Sequence, residues 1–206
     1  MKHWFTSDLH LGHAKIIELC HRPFVTVDEM NNEIIRRWNA VVAPQDTVFV
    51  LGDVAMGTIA KTLPLVMRLS GRKLLVPGNH DRLWSGAFGK HADELPLYPG
   101  YQRWLVAYRD VGFSILGEDM VSKWGFQLCH FPYEGDSTDS DRFTAHRPAD
   151  QGRWLVHGHV HEKWQVNGRQ INVGVDVWDF TPVPLETILE IIDGGSPRSD
   201  KIRSHR

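Results

Sequence analysis

The sequence predicts an α/β fold. Short apolar runs of strand length alternate along the chain with segments whose apolar residues recur every three or four positions. Five of the apolar runs, moreover, end in side chains able to hold a metal ion. That is the pattern expected where ligands gather outside the carboxyl ends of strands in an α/β sheet. No repeat and no linker divides the chain. It reads as one domain over residues 1–194 with a loop inserted at 131–152, followed by a polar, basic, disordered tail at 195–206.

His3 to Thr6 is the first strand, and Ala14 to Cys20 a short helix. Thr26 and Glu29 are spaced as a capping box for the next helix. Its buried stripe is Met30, Ile34, Ile35, Trp38, Val41 and Val42, and Pro44 ends it. Thr47 to Leu51 is a continuous apolar, β-branched strand. Thr58 to Leu69 is helical, with a kink or split at Pro64. Leu74 to Val76 is a strand cut off by Pro77-Gly78. Trp84 to Pro99 is irregular, Tyr101 to Val111 helical, and Ser114–Leu116, Met120–Ser122 and Gly125–His130 are strands. Phe131 to Gly152 is rich in turn residues and reads as a long surface loop. Trp154 to Val156 is a strand, and Asn167-Gly168 marks a hairpin over Trp164 to Val173. Asp176 and Asp179 read as turn residues, and Pro184 opens a closing helix that stops at Gly194.

Composition excludes several function classes. With a formal charge of −2 over 206 residues there is no global attraction to nucleic acid or to an anionic membrane. No apolar run approaches the roughly 18 residues of a membrane span. No signal peptide is evident, and the two cysteines, Cys20 and Cys129, suit a reducing cytoplasm. The unusual figure is 12 histidines, which points to metal or proton chemistry.

The five strand ends locate that chemistry. They carry Asp8 and His10, then Asp53, then Asn79 and His80, then His130, and finally His157, His159 and His161. Imidazole, carboxylate and amide donors without thiolate suit manganese, iron, zinc or magnesium rather than a closed thiolate zinc site. Such a set exceeds the needs of one ion with an open position and fits two ions sharing a carboxylate. Alternation along a strand leaves open which of His157, His159 and His161 point at the metals. His13 either lines the site or makes local hydrogen bonds.

Asp8-x-His10, Gly52-Asp53, Gly78-Asn79-His80-Asp81, His130 and Gly158-His159-Val160-His161, in this order, together resemble the calcineurin-like metallophosphoesterase superfamily. The resemblance implies a two-sheet α/β sandwich flanked by helices. It implies Asp8, His10 and His161 on one metal, Asn79, His130 and His159 on the other, and Asp53 bridging. His80 is then the near-metal histidine that protonates the leaving group or steadies the transition state; Asp81, the next residue, is read as orienting it, and His157 as standing behind the ligands. The implied activity is hydrolysis of a phosphomonoester or phosphodiester, nucleotides among them, by water activated between two divalent ions, manganese foremost.

Substrate contacts are expected from the loops: Arg22, and in the insertion Tyr133, Arg142, His146 and Arg147, with Arg153 just beyond. Arg22, Tyr133 and Arg147 are foremost, an arginine being suited to fork a phosphate. The partner implied is a small phosphate ester. A nuclease on the same scaffold is disfavoured by the absence of a basic stripe. A non-catalytic scaffolding member of the fold would be expected to lack some of the ligands retained here.

Overall fold

The computed structural model describes residues 1–95 and 97–194; the tail at 195–206 lies outside the described residues. Two five-stranded sheets pack face to face. The first holds β1 (His3–Thr6), β2 (Thr47–Val50), β3 (Arg72–Leu75) and β4 (Phe113–Ile115), mutually parallel, with β10 (Val183–Pro184) antiparallel on the edge beside β1. The second holds β5 (Asp119–Val121), β6 (Gln127–Cys129), β7 (Leu155–His157), β8 (Val166–Asn167) and β9 (Gln170–Asn172) in the order β5-β6-β7-β9-β8. Its three central strands are parallel, and both edges are antiparallel. The result is the α/β sandwich expected, with α1 (Ala14–Leu19), α2 (Val27–Val41), α3 (Ile59–Thr62), α4 (Pro99–Asp110) and α5 (Leu185–Asp193).

The centre of the first sheet, β1 and β2, is largely buried on both faces, whereas β3 and β4 toward its edge carry exposed positions at Arg72 and Ser114. Along β2 and its continuation, Val48 and Val50 face a core shared with Met30, Ile34 and Trp38 of α2, whereas Leu51 joins Phe5, Val76, Phe126, Leu128, Val156 and Ile171 between the sheets. The outer face of the second sheet has a different cover. The start of the long loop lies over it: Phe131 packs with Trp84, Cys129 and Leu155, and the Tyr133 amide donates to Gln170 at 2.6 Å. That loop is therefore partly a structural layer. Its one regular piece is a 3-10 turn at Thr144–His146.

Local readings hold with four adjustments. Thr26 accepts from the Glu29 amide at 3.1 Å, but the Glu29 carboxylate accepts from Val25 rather than from Thr26, so the box is closed one residue early. Val41 is 36% exposed and falls outside the buried stripe. The stretch expected to be irregular holds 3-10 turns over Ser85–Glu94, broken at Gly89 (φ 51°), where backbone geometry suits glycine. Pro64 does split its segment, leaving α3 and a 3-10 helix at Leu63–Arg68. The hairpin forms with Asn167 paired to Gln170, so its turn residues are Gly168 and Arg169.

Trp38 is fully buried and donates from Nε1 to the Ser70 carbonyl at 3.0 Å. Trp38→Ala should lower stability by about 3–5 kcal/mol, read as a lower urea midpoint at unchanged slope.

Candidate metal centre

β1, β2, β3, β6 and β7 all deliver side chains to one edge of the sandwich. Their ends turn sharply. Of nine non-glycine residues with positive φ among the described residues, five are Asp8, His10, Asp53, His159 and His161. Such conformations are disfavoured by the Cβ and persist where surrounding bonds over-determine them. Here the bonds are visible. The Asp8 amide donates to Gly52 O (3.1 Å) and the His10 amide to Asp53 O (3.0 Å). The His159 amide donates to Asp8 Oδ2 (3.0 Å), and the His80 amide to Asp53 Oδ1 (2.9 Å).

Each of the two aspartates thus engages one oxygen and leaves the other bare. Asp8 Oδ1, His10 Nε2 and Asp53 Oδ2 are buried without a hydrogen-bond partner. Three such atoms in contact would be costly in a site meant to stay empty. His10 Nε2 stands 3.9 Å from Asp8 Oδ1 and 3.6 Å from Asp53 Oδ2, and His161 Nε2 stands 3.5 Å from Asp8 Oδ1. One donor atom from each of these four residues lies within 4.8 Å of the others, a cluster that fits a divalent cation. On the far side of Asp53, His130 Nε2 is 3.5 Å from the same Oδ2. Asn79 Oδ1 is 3.1 Å from His130 Nε2 and 3.0 Å from His159 Nδ1.

The rings are held from behind, as ligating histidines usually are. His130 Nδ1 donates to Leu51 O at 2.7 Å, which leaves Nε2 as the acceptor turned to the site. His159 Nε2 meets Asp136 Oδ2 at 3.3 Å, leaving Nδ1. His10 Nδ1 meets His13 Nδ1 at 3.3 Å, and His161 Nδ1 meets Cys20 Sγ at 2.9 Å.

Burial pushes the carboxyls of Asp8 and Asp53 upward. It also holds His10 and His161 well below the usual imidazole value, helped in His10 by His161 and in His161 by Arg22. His159 is lowered to about 3, mainly by burial. Neutral imidazoles are the form that binds metal, and desolvated carboxylates lack the counter-charge a cation would bring.

The motif glycines are required by close approach. A Cβ on Gly52 would fall 2.5 Å from His130 Nδ1, on Gly78 2.4 Å from Asp53 Oδ1, and on Gly158 2.0 Å from Ser7 Oγ. Any side chain there would displace a candidate ligand or its support.

His80 sits at the mouth, its side chain 40% exposed and its Nε2 4.0 Å from Asp53 Oδ2. Asp81 does not orient it. The Asp81 carboxylate faces inward and accepts from the amides of Asp53 (2.8 Å), Val54 (3.1 Å) and Gly78 (2.9 Å) and from Tyr108 Oη (3.1 Å), so it shapes the Asp53 turn instead. Arg22 is also corrected. It lies behind the site, bonded to Asp176 at 2.8 and 2.9 Å and to the carbonyls of Asp8 and Leu9, and does not face a substrate. Tyr133 directs its hydroxyl to Gln127 (2.9 Å) on the outer sheet face. Arg147 donates to Asp141 and to Arg142 O within the loop. His157 points to that outer face too, its ring 4.8 Å from Trp164. Strand alternation stops at His157 because His159 and His161 adopt positive φ.

Sequence reasoning missed Asp136, Asp176 and Tyr108. Nothing local distinguishes them, since each acts through a partner between 23 and 154 residues away.

The family model for calcineurin-like phosphoesterases matches residues 1–163. The gene 66 protein of Mycobacterium phage L5 is 35% identical over 187 residues, covering 85% of this chain and 86% of its own. A Methanocaldococcus jannaschii protein is 32% identical over 203 residues, covering 94% and 93%. The crystal structure of an Aquifex aeolicus protein of unknown function superposes with a TM-score of 0.64 at 24% identity, over 92% of this chain and 98% of that one, and shows a shared fold.

Raised carboxyl pKa values and lowered imidazole values together set a pH dependence. Burial raises the carboxyls of Asp8 and Asp53 and lowers His10 and His161, so the protons a cation must displace are those of the two carboxyls. Mn²⁺ affinity should therefore rise between about pH 5.5 and about pH 7.5, with protons released on binding. Calorimetric titration in two buffers of different ionisation enthalpy measures both, and a flat affinity without proton release contradicts the assignment.

Proposed function

Because the chain belongs to the calcineurin-like phosphoesterase family, we propose that it hydrolyses a small phosphate ester with two divalent cations, manganese foremost. The observation that carries this reading is the bare, buried Oδ2 of Asp53, 3.6 Å from His10 Nε2 and 3.5 Å from His130 Nε2. An oxygen so placed is suited to bridge. Asp8, His10 and His161 would hold one ion; Asn79, His130 and His159 would hold the other. When bound, such cations supply Lewis acidity, making water nucleophilic near neutral pH and offsetting charge on phosphoryl oxygens.

The chain's own groups do the rest. His80, half-exposed at the mouth, is placed to protonate the leaving oxygen from its ring. Burial lowers its pKa, so donation from the ring is favoured on the acid side of neutrality. Asp81 acts at one remove, holding the turn that carries Asp53. The net charge of −2 favours a small ester over nucleic acid as substrate, whether diester, monoester or nucleotide. No helix among the described residues is long and apolar enough to cross a membrane. Two buried free cysteines accord with a cytoplasmic setting.

Asp53→Ala should lose bound Mn²⁺ and hydrolysis together. His80→Ala should keep the metal and lose about 10²–10⁴-fold in rate. Elemental analysis beside assays on a chromogenic diester, a monoester and single-stranded DNA separates these outcomes. Full metal occupancy in Asp53→Ala would remove the bridging role, and preference for DNA would replace the small-ester substrate by a nuclease.

A further inference from the structure

The loop after His130 is folded around one carboxylate. Asp136 Oδ1 accepts from the Thr138 amide (3.1 Å) and from Arg142 Nη2 (2.7 Å) and Nε (3.2 Å). Its Oδ2 accepts from the Arg142 amide (3.1 Å) and meets His159 Nε2 (3.3 Å). The Asp136 side chain is 2% exposed, and that of Arg142 is 43% exposed. One carboxylate therefore links a candidate metal ligand to a guanidinium that reaches solvent.

The position of that guanidinium is well defined. It lies over the Phe143 ring, 5.2 Å from the centroid, and the Phe143 ring is 5.4 Å from that of His159. Its charge bears on both His80 and His159, in each case disfavouring the protonated ring. Nε and Nη2 also serve Asp136, and Nη2 donates to Ser137 Oγ as well (3.0 Å). Nη1 donates to no group among the described residues. Arg22, by contrast, has its bonds directed into the protein, and Arg147 donates from Nη2 to Asp141 and to Arg142 O within the loop, with its Nε buried and unpartnered.

We propose that Arg142 grips a non-bridging oxygen of the substrate phosphoryl group through Nη1, with Asp136 as the positioning residue that holds both Arg142 and His159. The inference rests on the phosphoesterase reading of the metal centre and adds to it the residue that recognises the phosphate. An always-charged, planar donor already fixed along one edge loses little freedom on binding an oxyanion at the other. Lysine could not serve both edges. Arg142 is thus the place where the loop, rather than the metal-bearing strand ends, contributes to recognition.

Binding of inorganic phosphate to the Mn²⁺-loaded protein tests this, with Mn²⁺ stoichiometry and affinity measured alongside. Arg142→Ala and Arg142→Lys should bind as much Mn²⁺ as the wild type while phosphate affinity falls about tenfold or more. Asp136→Asn should weaken both phosphate and Mn²⁺, the latter roughly 10–100-fold. Wild-type phosphate affinity in both Arg142 variants overturns the proposal. A wild type that binds Mn²⁺ but no phosphate also overturns it while leaving the metal centre intact. Failure of the wild type to bind Mn²⁺ instead removes the reading beneath it.

Discussion

Two buried aspartates, each with one oxygen tied to a backbone amide and the other left bare, set the terms for the rest of this structure. Asp8 Oδ2 holds His159, and Asp53 Oδ1 holds His80, so the aspartates knit separate strand ends together before any ion is considered. Their remaining oxygens, with His10 Nε2, form a pocket of unmet electrostatic demand. Desolvation makes such carboxylates expensive unless a positive partner arrives. Stability has been yielded locally for the sake of a site.

The surroundings are organised to tolerate that cost. Arg22 and Asp176 form an enclosed ion pair that also ties down the carbonyls of Asp8 and Leu9. Buried pairs of this kind add little stability overall, because desolvation offsets their attraction. Here the pair's value lies in fixing the left-handed turn at Asp8. Asp81 does the same for the turn at Asp53, supported by Tyr108 from α4. Glycines at 52, 78 and 158 complete the arrangement by letting backbones close to within a distance no Cβ would allow.

The two sides of the centre differ in how they are closed. His10 and His161 are backed by His13 and Cys20, at the start and end of the segment holding α1. His159 is backed by Asp136 from the long loop. The loop seals the outer face of the second sheet through Phe131 and Tyr133 and reaches the site through Asp136 and Arg142. Layer and site wall are one segment, so its length is accounted for without invoking a separate cap.

The alternation of apolar runs with helical stripes, and the placing of acidic, amide and imidazole residues at strand ends, depend on neighbours in the chain. Those features are legible in residue order: the strand and helix series, the split at Pro64, and the strand ends from Asp8 to His161 whose acidic, amide and imidazole groups converge. The order of strands in the second sheet is not, nor is the choice of His159 and His161 over His157, which turns on positive φ at two positions. Adjacency makes Asp81 a partner for His80, yet its carboxylate turns inward to the amides of Asp53, Val54 and Gly78. A loop position makes Arg22 a candidate substrate contact, yet its partner is 154 residues on. Local chemistry follows from the order of the residues; which way a polar side chain faces is decided by what the fold brings beside it, because a buried charge must find its partner wherever the packed chain supplies one.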